Sequence, residues 1–258
     1  MIFADTHTHL YLNAFDDDRE SVVKKAIDAG VEIMVLPNID SGSIGPLLEL
    51  TDNFPENCFP MMGLHPTSVK ENFNAELKAV EDALDQREYV AIGEIGIDLY
   101  WDKTHFNEQV EAFKFQLEIA LDLELPVAIH TRDSMEETLE ILSLPEYRDV
   151  RGVLHCFSGD ASQAKRAVDL GYYLGIGGVL TFKNSGVRAA IKDVPLSSII
   201  LETDAPFLAP VPYRGGRNES AYIPIIATHL SDLYGISREE VAKTTTNNAL
   251  TLFNTIKR

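Results

Sequence analysis

Short apolar runs recur along this chain at nearly regular spacing. Each is followed by a longer stretch in which apolar residues fall three or four apart, the spacing of an amphipathic helix. The runs predict strands over Ile2–Asp5, Glu32–Leu36, Cys58–Gly63, Tyr89–Gly93, Val127–His130, Gly152–His155, Tyr172–Ile176 and Ser198–Glu202. The stretches between them predict helices over Asp18–Asp28, Asn74–Asp85, Glu108–Asp122, Met135–Leu142 and Ala161–Asp169. Helices in these connections would cover a parallel sheet. Eight such units in 258 residues match the size of a closed TIM-type (β/α)8 barrel, whose strands build a site at their C-terminal ends. A doubly wound open sheet is the runner-up, because a strand count does not show closure. After Gly235 two further C-terminal helices are expected, the first opened by Ser237 before Arg238-Glu239-Glu240 and the second by Asn247 or Asn248. No repeat, low-complexity linker or charge block divides the chain, so residues 1–258 read as one domain.

Composition narrows the class. A 45% hydrophobic content allows a large core without disulfides or a structural metal. Cys58 and Cys156 are too few for a disulfide scaffold, and no apolar run of about 18 residues or cleavable leader precedes the first strand. A cytoplasmic protein, free of the membrane, monomeric and without an obligate protein partner, is the simplest expectation. Forty Asp+Glu against 22 Lys+Arg give a net charge of -18, which repels nucleic acid at long range. A pure nucleic-acid binding module is further disfavoured by the absence of a basic footprint and of interleaved surface aromatics. A phosphoester substrate remains compatible if divalent cations and local arginines reverse the potential inside one cleft.

The first strand runs into Asp5-Thr6-His7-Thr8-His9. Two imidazoles at i and i+2 of an extended segment point to one side and can converge on a cation. Glu94, His130 and His155 stand where later strands end, and Asp204 follows the last one. Five strand ends therefore offer metal-ligating types, and a carboxylate among them can bridge two ions that activate water and stabilise a leaving oxygen. Asp204 and Glu94 are the catalytic candidates. Glu202 is a candidate partner for a histidine. His65, in Gly63-Leu64-His65-Pro66, is read as a substrate contact ahead of a metal ligand. Arg132, and Arg214 with Arg217 in Tyr213-Arg214-Gly215-Gly216-Arg217-Asn218, suit phosphate or carboxylate recognition beside the last strands. His105 and His229 lie away from strand ends and are read as helix-start and helix-face residues. Gly175-Ile176-Gly177-Gly178 lacks the lysine of a nucleotide-binding loop and is read as a flexible turn. No partner makes Cys156 a nucleophile.

Taken in order, DTHTHL, GLHP, GEIGID, HTR, HCFSG, LETDAPFLAP and RGGRNES resemble the TatD family of metal-dependent hydrolases, within the amidohydrolase-like barrels. The likeness spans nearly the whole chain. It implies two divalent ions, Mg or Mn with Zn also compatible. His7 and His9 match the ligands of one ion, Glu94 the shared acid, His130 and His155 the ligands of the other, and Asp204 the late acidic ligand. It also implies action on DNA, with removal of nucleotides from a 3′ end; hydrolysis of an amide or carboxylic ester by the same Lewis acidity is the alternative. Two positions depart from the family pattern: Tyr11 stands where an Asp often follows HxHL, and Gly216 where a lysine is common.

Overall fold

In the computed structural model, which describes residues 1–257, the apolar runs become β1 (Phe3–Asp5), β2 (Val31–Leu36), β3 (Cys58–Pro60), β4 (Ile92–Asp98), β5 (Val127–Arg132), β6 (Gly152–Leu154), β7 (Tyr173–Ile176) and β8 (Ile199–Leu201). Their connections carry α1 (Arg19–Asp28), α2 (Ile44–Asn53), α3 (Phe73–Leu84), α4 (Phe106–Asp122), α5 (Met135–Leu142), α6 (Ala161–Asp169) and α7 (Val187–Ile191). The eighth unit ends in α8 (Ile223–Tyr234), and α9 (Arg238–Leu252) follows it.

All pairing is parallel, with β1 to β3 and β4 to β8 each in sequence order. The two arcs meet on both sides. Met62 bridges Ile92 in parallel, with Gly93 N–H donating to the Met62 carbonyl at 3.0 Å. On the other seam Thr8 bridges Ala205, and Thr6 N–H donates to the Leu201 carbonyl at 3.0 Å. The ring closes as a TIM-type barrel, and the open sheet is set aside.

The strands divide their side chains between two cores because successive residues face opposite sides. Ala4, Ile33, Val35, Met61, Ala128, Val153 and Ile200 pack together inside the ring. Leu252, Phe253 and Ile256 from the end of α9 join this cluster and plug its lower mouth. Alternate residues such as Met34, Leu36, Ile129 and Leu154 pack outward against the helices. The interior is thus filled below the site, as expected of a barrel this narrow.

Most strand ends shift by one to three residues from the sequence-based expectation, β3 for instance ending at Pro60, and larger differences fall at β4 and in the tail. β4 begins at Ile92, later than Tyr89, and runs through Glu94 to Asp98 with a register irregularity between Gly93 and Ile95. Acidic residues looked like strand ends, yet here imidazoles and backbone amides satisfy them within the barrel mouth. The tail forms one helix, not two. Ser237 caps it by accepting from Glu240 N–H at 3.1 Å, but Asn248 lies in its interior, donating to the carbonyls of Leu196 and Ile199 at 2.9 and 2.7 Å. The asparagine is an anchor to the base of β8, where isolated sequence reading made it a cap. α2 and α7 were not among the expected helices.

Candidate metal centre

The inner core sets the place of the site. Two residues beyond Ala128, Val153 and Ile200 come His130, His155 and Glu202, so the two-residue period lifts these side chains into the barrel mouth. The opposite wall comes from β1 and the chain beyond it, which carries His7 and His9. Asp5 ties that wall to the last strand: its carboxylate accepts from Thr203 N–H at 2.9 Å and from the Thr203 hydroxyl at 2.6 Å. Asp204 N–H then donates to the His7 carbonyl at 2.9 Å. Asp5 was missed in the sequence because it reads simply as the polar end of a strand. Burial pushes its carboxyl up to about 7.

Glu94 lies at the centre, 2% exposed, and its two oxygens face two groups of ligands. Oε2 is 3.1 Å from His7 Nε2 and 3.6 Å from His9 Nε2. Oε1 is 2.9 Å from His130 Nδ1, 3.4 Å from His65 Nε2 and 3.8 Å from His155 Nε2. Asp204 Oδ1 sits 3.6 Å from His9 Nε2 and 3.8 Å from His155 Nε2. Ligands about 2.0–2.1 Å from one ion in tetrahedral array are about 3.4 Å apart. These separations therefore fit cations held between the side chains. Among the described residues three groups at the centre, His7 with His9 and Glu94, His7 with His155 and Asp204, and His65 with Glu94 and His130, each bring three ligand atoms close enough to share an ion, and His155 with Cys156 and Glu202 forms a fourth beside them.

Polar groups stand behind three of the rings, and for His9 they select the tautomer. Tyr11 hydroxyl lies 2.6 Å from the Pro37 carbonyl, which takes its only proton, and 2.9 Å from His9 Nδ1. The hydroxyl can then only accept from His9, so Nδ1 carries the proton and Nε2 presents its lone pair to the centre. Glu202 Oε1 lies 3.0 Å behind His155 Nδ1, close enough for an ion pair but without a hydrogen bond to it, and accepts from Cys156 N–H at 2.6 Å. Asp98 Oδ2 lies 2.9 Å from His130 Nε2. His65 differs from these three. Its Nδ1 lies 2.7 Å from the Thr67 hydroxyl and 3.1 Å from Thr67 N–H, and its Nε2 stands at the edge of the centre, 3.4 Å from Glu94 Oε1 and 3.3 Å from His130 Nδ1.

Charge follows the same arrangement. Burial opposes the ionised form of Glu94, but the facing His7, His65 and His155, with the hydrogen bond from His130, hold its carboxyl well below the usual range. Burial lowers His7, His155 and, strongly, His9. For His130 burial acts the same way, yet hydrogen bonds to Asp98 and Glu94 outweigh it and lift the ring to about 9. Burial raises Glu202 and Asp204 to about 7. Such a set of buried acids facing imidazoles is stable when a cation compensates them.

All six sequence-chosen ligands, His7, His9, Glu94, His130, His155 and Asp204, meet at this centre. His65, Arg132 and Arg214 line the open cleft above it, a cavity of about 840 Å³. Arg217 does not reach the cleft. Its guanidinium grips both carboxylate oxygens of Asp18 at 2.8 and 2.6 Å and the Ala14 carbonyl at 2.7 Å, fastening the last loop to the start of α1. Its neighbour Arg214 misled the reading, since both follow β8 in one glycine-rich loop. His105 is the residue before α4, and His229 lies within α8. Asp98 was not chosen from the sequence, although its place at the end of β4 marks it once the strand is drawn correctly. The Gly175 reading also changes. A Cβ there would stand 2.3 Å from Glu202 Oε2, so this glycine makes room for the carboxylate behind His155 instead of supplying a flexible turn. Cys156 lines the cleft, its thiol pushed well up by burial.

A parallel barrel whose strand ends bring histidines and carboxylates into groups able to hold a cation is the architecture of a metal-dependent hydrolase. Within that class the chain belongs to the TatD family: the model described as "TatD related DNase" matches residues 4–254. An uncharacterized metal-dependent hydrolase of Bacillus subtilis, YabD, is 35% identical over 98% of this chain and 99% of its own length. The Salmonella typhimurium protein named 3′-5′ ssDNA/RNA exonuclease TatD is 34% identical, with 98% and 99% covered. The crystal structure of YjjV, a TatD homolog from Escherichia coli, superposes with a TM-score of 0.91 at 33% identity, covering 98% of both chains. Among the described residues no helix is long and apolar enough to cross a membrane.

Proposed function

We propose that this protein is a divalent-metal phosphodiesterase that removes nucleotides from the 3′ end of DNA. The observation that carries the reading is Glu94, whose two oxygens each face a separate group of imidazole nitrogens, the arrangement of a carboxylate shared by two ions. His7, His9, Glu94 and Asp204 would hold one ion, and Glu94, His130 and His155 the other. The mixture of carboxylates and imidazoles suits Mg, Mn or Zn. When bound, the ions supply Lewis acidity that polarises a phosphate oxygen and lowers the pKa of water.

The chain's own residues do the rest. Asp204, whose side chain is 16% exposed against 2% for Glu94, reaches solvent and is placed to orient the attacking water and take its proton. Attack forms a water-oxygen bond to phosphorus as the bond to the 3′ oxygen breaks. That oxygen takes up the proton Asp204 received from the water and leaves as a hydroxyl, releasing a nucleotide and a shortened strand. His65 donates to a non-bridging phosphate oxygen, and Arg132 and Arg214 offset its charge from the cleft wall. Glu202, Asp98 and Tyr11 keep three histidines in the ligating orientation. Two free cysteines and a net charge of -18 are consistent with work in the cytoplasm.

The test is metal-stripped protein reconstituted separately with Mg, Mn or Zn and given 3′-labelled and 5′-labelled single-stranded DNA, with Glu94→Gln as control. Stepwise release of the 3′ label, dependent on metal and reduced at least about a thousandfold in the folded variant, is expected. Hydrolysis of amides or esters with no DNA cleavage would replace this reading by the carbonyl one.

A further inference from the structure

The mouth of the cleft carries aromatic rings where a soluble surface normally hides them. Tyr100 is 52%, Trp101 68% and Phe207 52% exposed. Trp101 and Phe207 both line the cavity above the metal centre. The expectation that surface aromatics are missing from this chain does not hold at this one rim. We propose that Trp101 and Phe207 are stacking platforms for the unpaired bases at the end of a single-stranded nucleic acid, which deepens and rests on the phosphodiesterase reading.

Both platforms are held in place and tied to the centre. Asp98, which receives His130 on one oxygen, accepts on the other from the backbone N–H groups of Tyr100 and Trp101 at 3.0 and 3.1 Å. One carboxylate thus links a proposed metal-binding ring to the aromatic loop. On the far wall Phe207 N–H donates to the Asp204 carbonyl at 2.8 Å, and Asn218 Nδ2 clamps the Phe207 carbonyl at 2.7 Å. Asp204 and Leu208, on either side of this residue, take left-handed φ of 58° and 54°, a conformation non-glycine residues adopt at a cost that packing must sustain. The Phe207 ring lies edge-on to His9, 6.3 Å between centroids. A base on Phe207 would therefore rest directly beside the place where a phosphate is held.

The charges match the same occupant. Arg132 covers the Tyr100 ring at 3.9 Å and stands 5.3 Å from that of Trp101, while Arg214 lies 4.3 Å from the Phe182 ring. Arg132 beside the exposed Tyr100 and Trp101 rings, and Arg214 beside the half-buried Phe182, are flat guanidinium groups that can stack on a base and pair with its phosphate at once. On a chain of net charge -18, these two arginines put cationic charge into a cleft that otherwise opens onto acid. Base faces are available only where a strand is unpaired, so the rim selects frayed or single-stranded ends over blunt duplex.

Trp101 is the single tryptophan of the chain, so intrinsic fluorescence reports on the platform itself. The full-length protein is titrated in EDTA, and again with Ca, against a single-stranded adenine octanucleotide, an abasic octamer with the same number of phosphates, and a blunt duplex. Quenching by the base-bearing single strand and not by the other two is expected. In Mg or Mn kinetics, Trp101→Leu and Phe207→Leu should each raise KM for that strand about 5- to 150-fold, with kcat within about threefold and the KM for an abasic 3′ end unchanged. Equal quenching by abasic and base-bearing strands, no quenching in either buffer, or an unchanged KM in both variants overturns the platform. Failure to cleave any DNA end while amides or esters are hydrolysed overturns the phosphodiesterase reading instead, and the fluorescence titration still judges the rim by itself.

Discussion

Tyr11 supports the proposed metal centre through a hydroxyl that meets the far side of the His9 ring. It stands where related sequences often have an acid, yet it serves His9 as an acceptor because the Pro37 carbonyl has already taken its proton. Tyr11→Phe keeps the packing of a fully buried ring and removes the acceptor for His9 together with the donor to the Pro37 carbonyl. Metal affinity measured by calorimetry should fall about 10- to 100-fold, as for other groups that orient metal-binding histidines; an unchanged affinity would remove Tyr11 from that role. Cys58, on β3, gives a separate residue-scale outcome. Burial pushes its thiol up to about 12, whereas an unfolded thiol ionises near 8.5. The raised value means the unfolded state releases its proton first, so this group costs stability as pH climbs above 8.5, by about 1.4 kcal/mol per pH unit until 12. Denaturant titrations from pH 8 to 10 should show a smaller alkaline loss in Cys58→Ala than in the parent chain.

At the scale of elements, β7 and β8 must approach closely enough for Glu202 to lie against the backbone of Gly175. A methyl group at that position would collide with the carboxylate at 2.3 Å, and the carboxylate cannot retreat without leaving His155 and the Cys156 amide. Gly175→Ala should therefore cost about 1–3 kcal/mol in thermal or denaturant unfolding, the usual penalty of overpacking. It should also weaken metal binding, which calorimetry would register. Loss of stability alone, with metal affinity intact, would show that Glu202 can back His155 from another position. The close approach explains a glycine that local pattern reading assigns to a turn.

For the whole molecule, the balance of charge predicts how binding responds to salt. A protein that grips a single strand through many cations releases many counterions, with a slope near −0.7 for each phosphate neutralised. Here the cleft offers Arg132 and Arg214, while Arg217 is committed to Asp18. The slope of log K against log salt for a short single strand should be about −1.4, two phosphates' worth. A slope steeper than about −3 would reveal a cationic track outside the cleft. Bound metal should in turn stabilise the barrel by mass action, by about 2.7 kcal/mol at a concentration one hundred times Kd.

The sequence by itself determined the eight-unit alternation and the six side chains that converge at the barrel mouth, because a strand exposes its period-two face and barrel chemistry gathers at strand ends: His130 and His155 are legible as the polar residues two steps past Ala128 and Val153. The ordered motifs likewise marked the family. What only the tertiary structure decided depends on contacts between residues far apart in the chain. Closure rests on the Met62 and Thr8 seams; Arg217 turns away because Asp18, 199 positions earlier, captures it; and Asn248 anchors the barrel base instead of starting a helix. Asp98, Tyr11 and Gly175 gain their meaning the same way. Each acts through a neighbour that local periodicity does not specify, and hydrogen-bond partners of that kind are set by where the closed barrel brings its walls together.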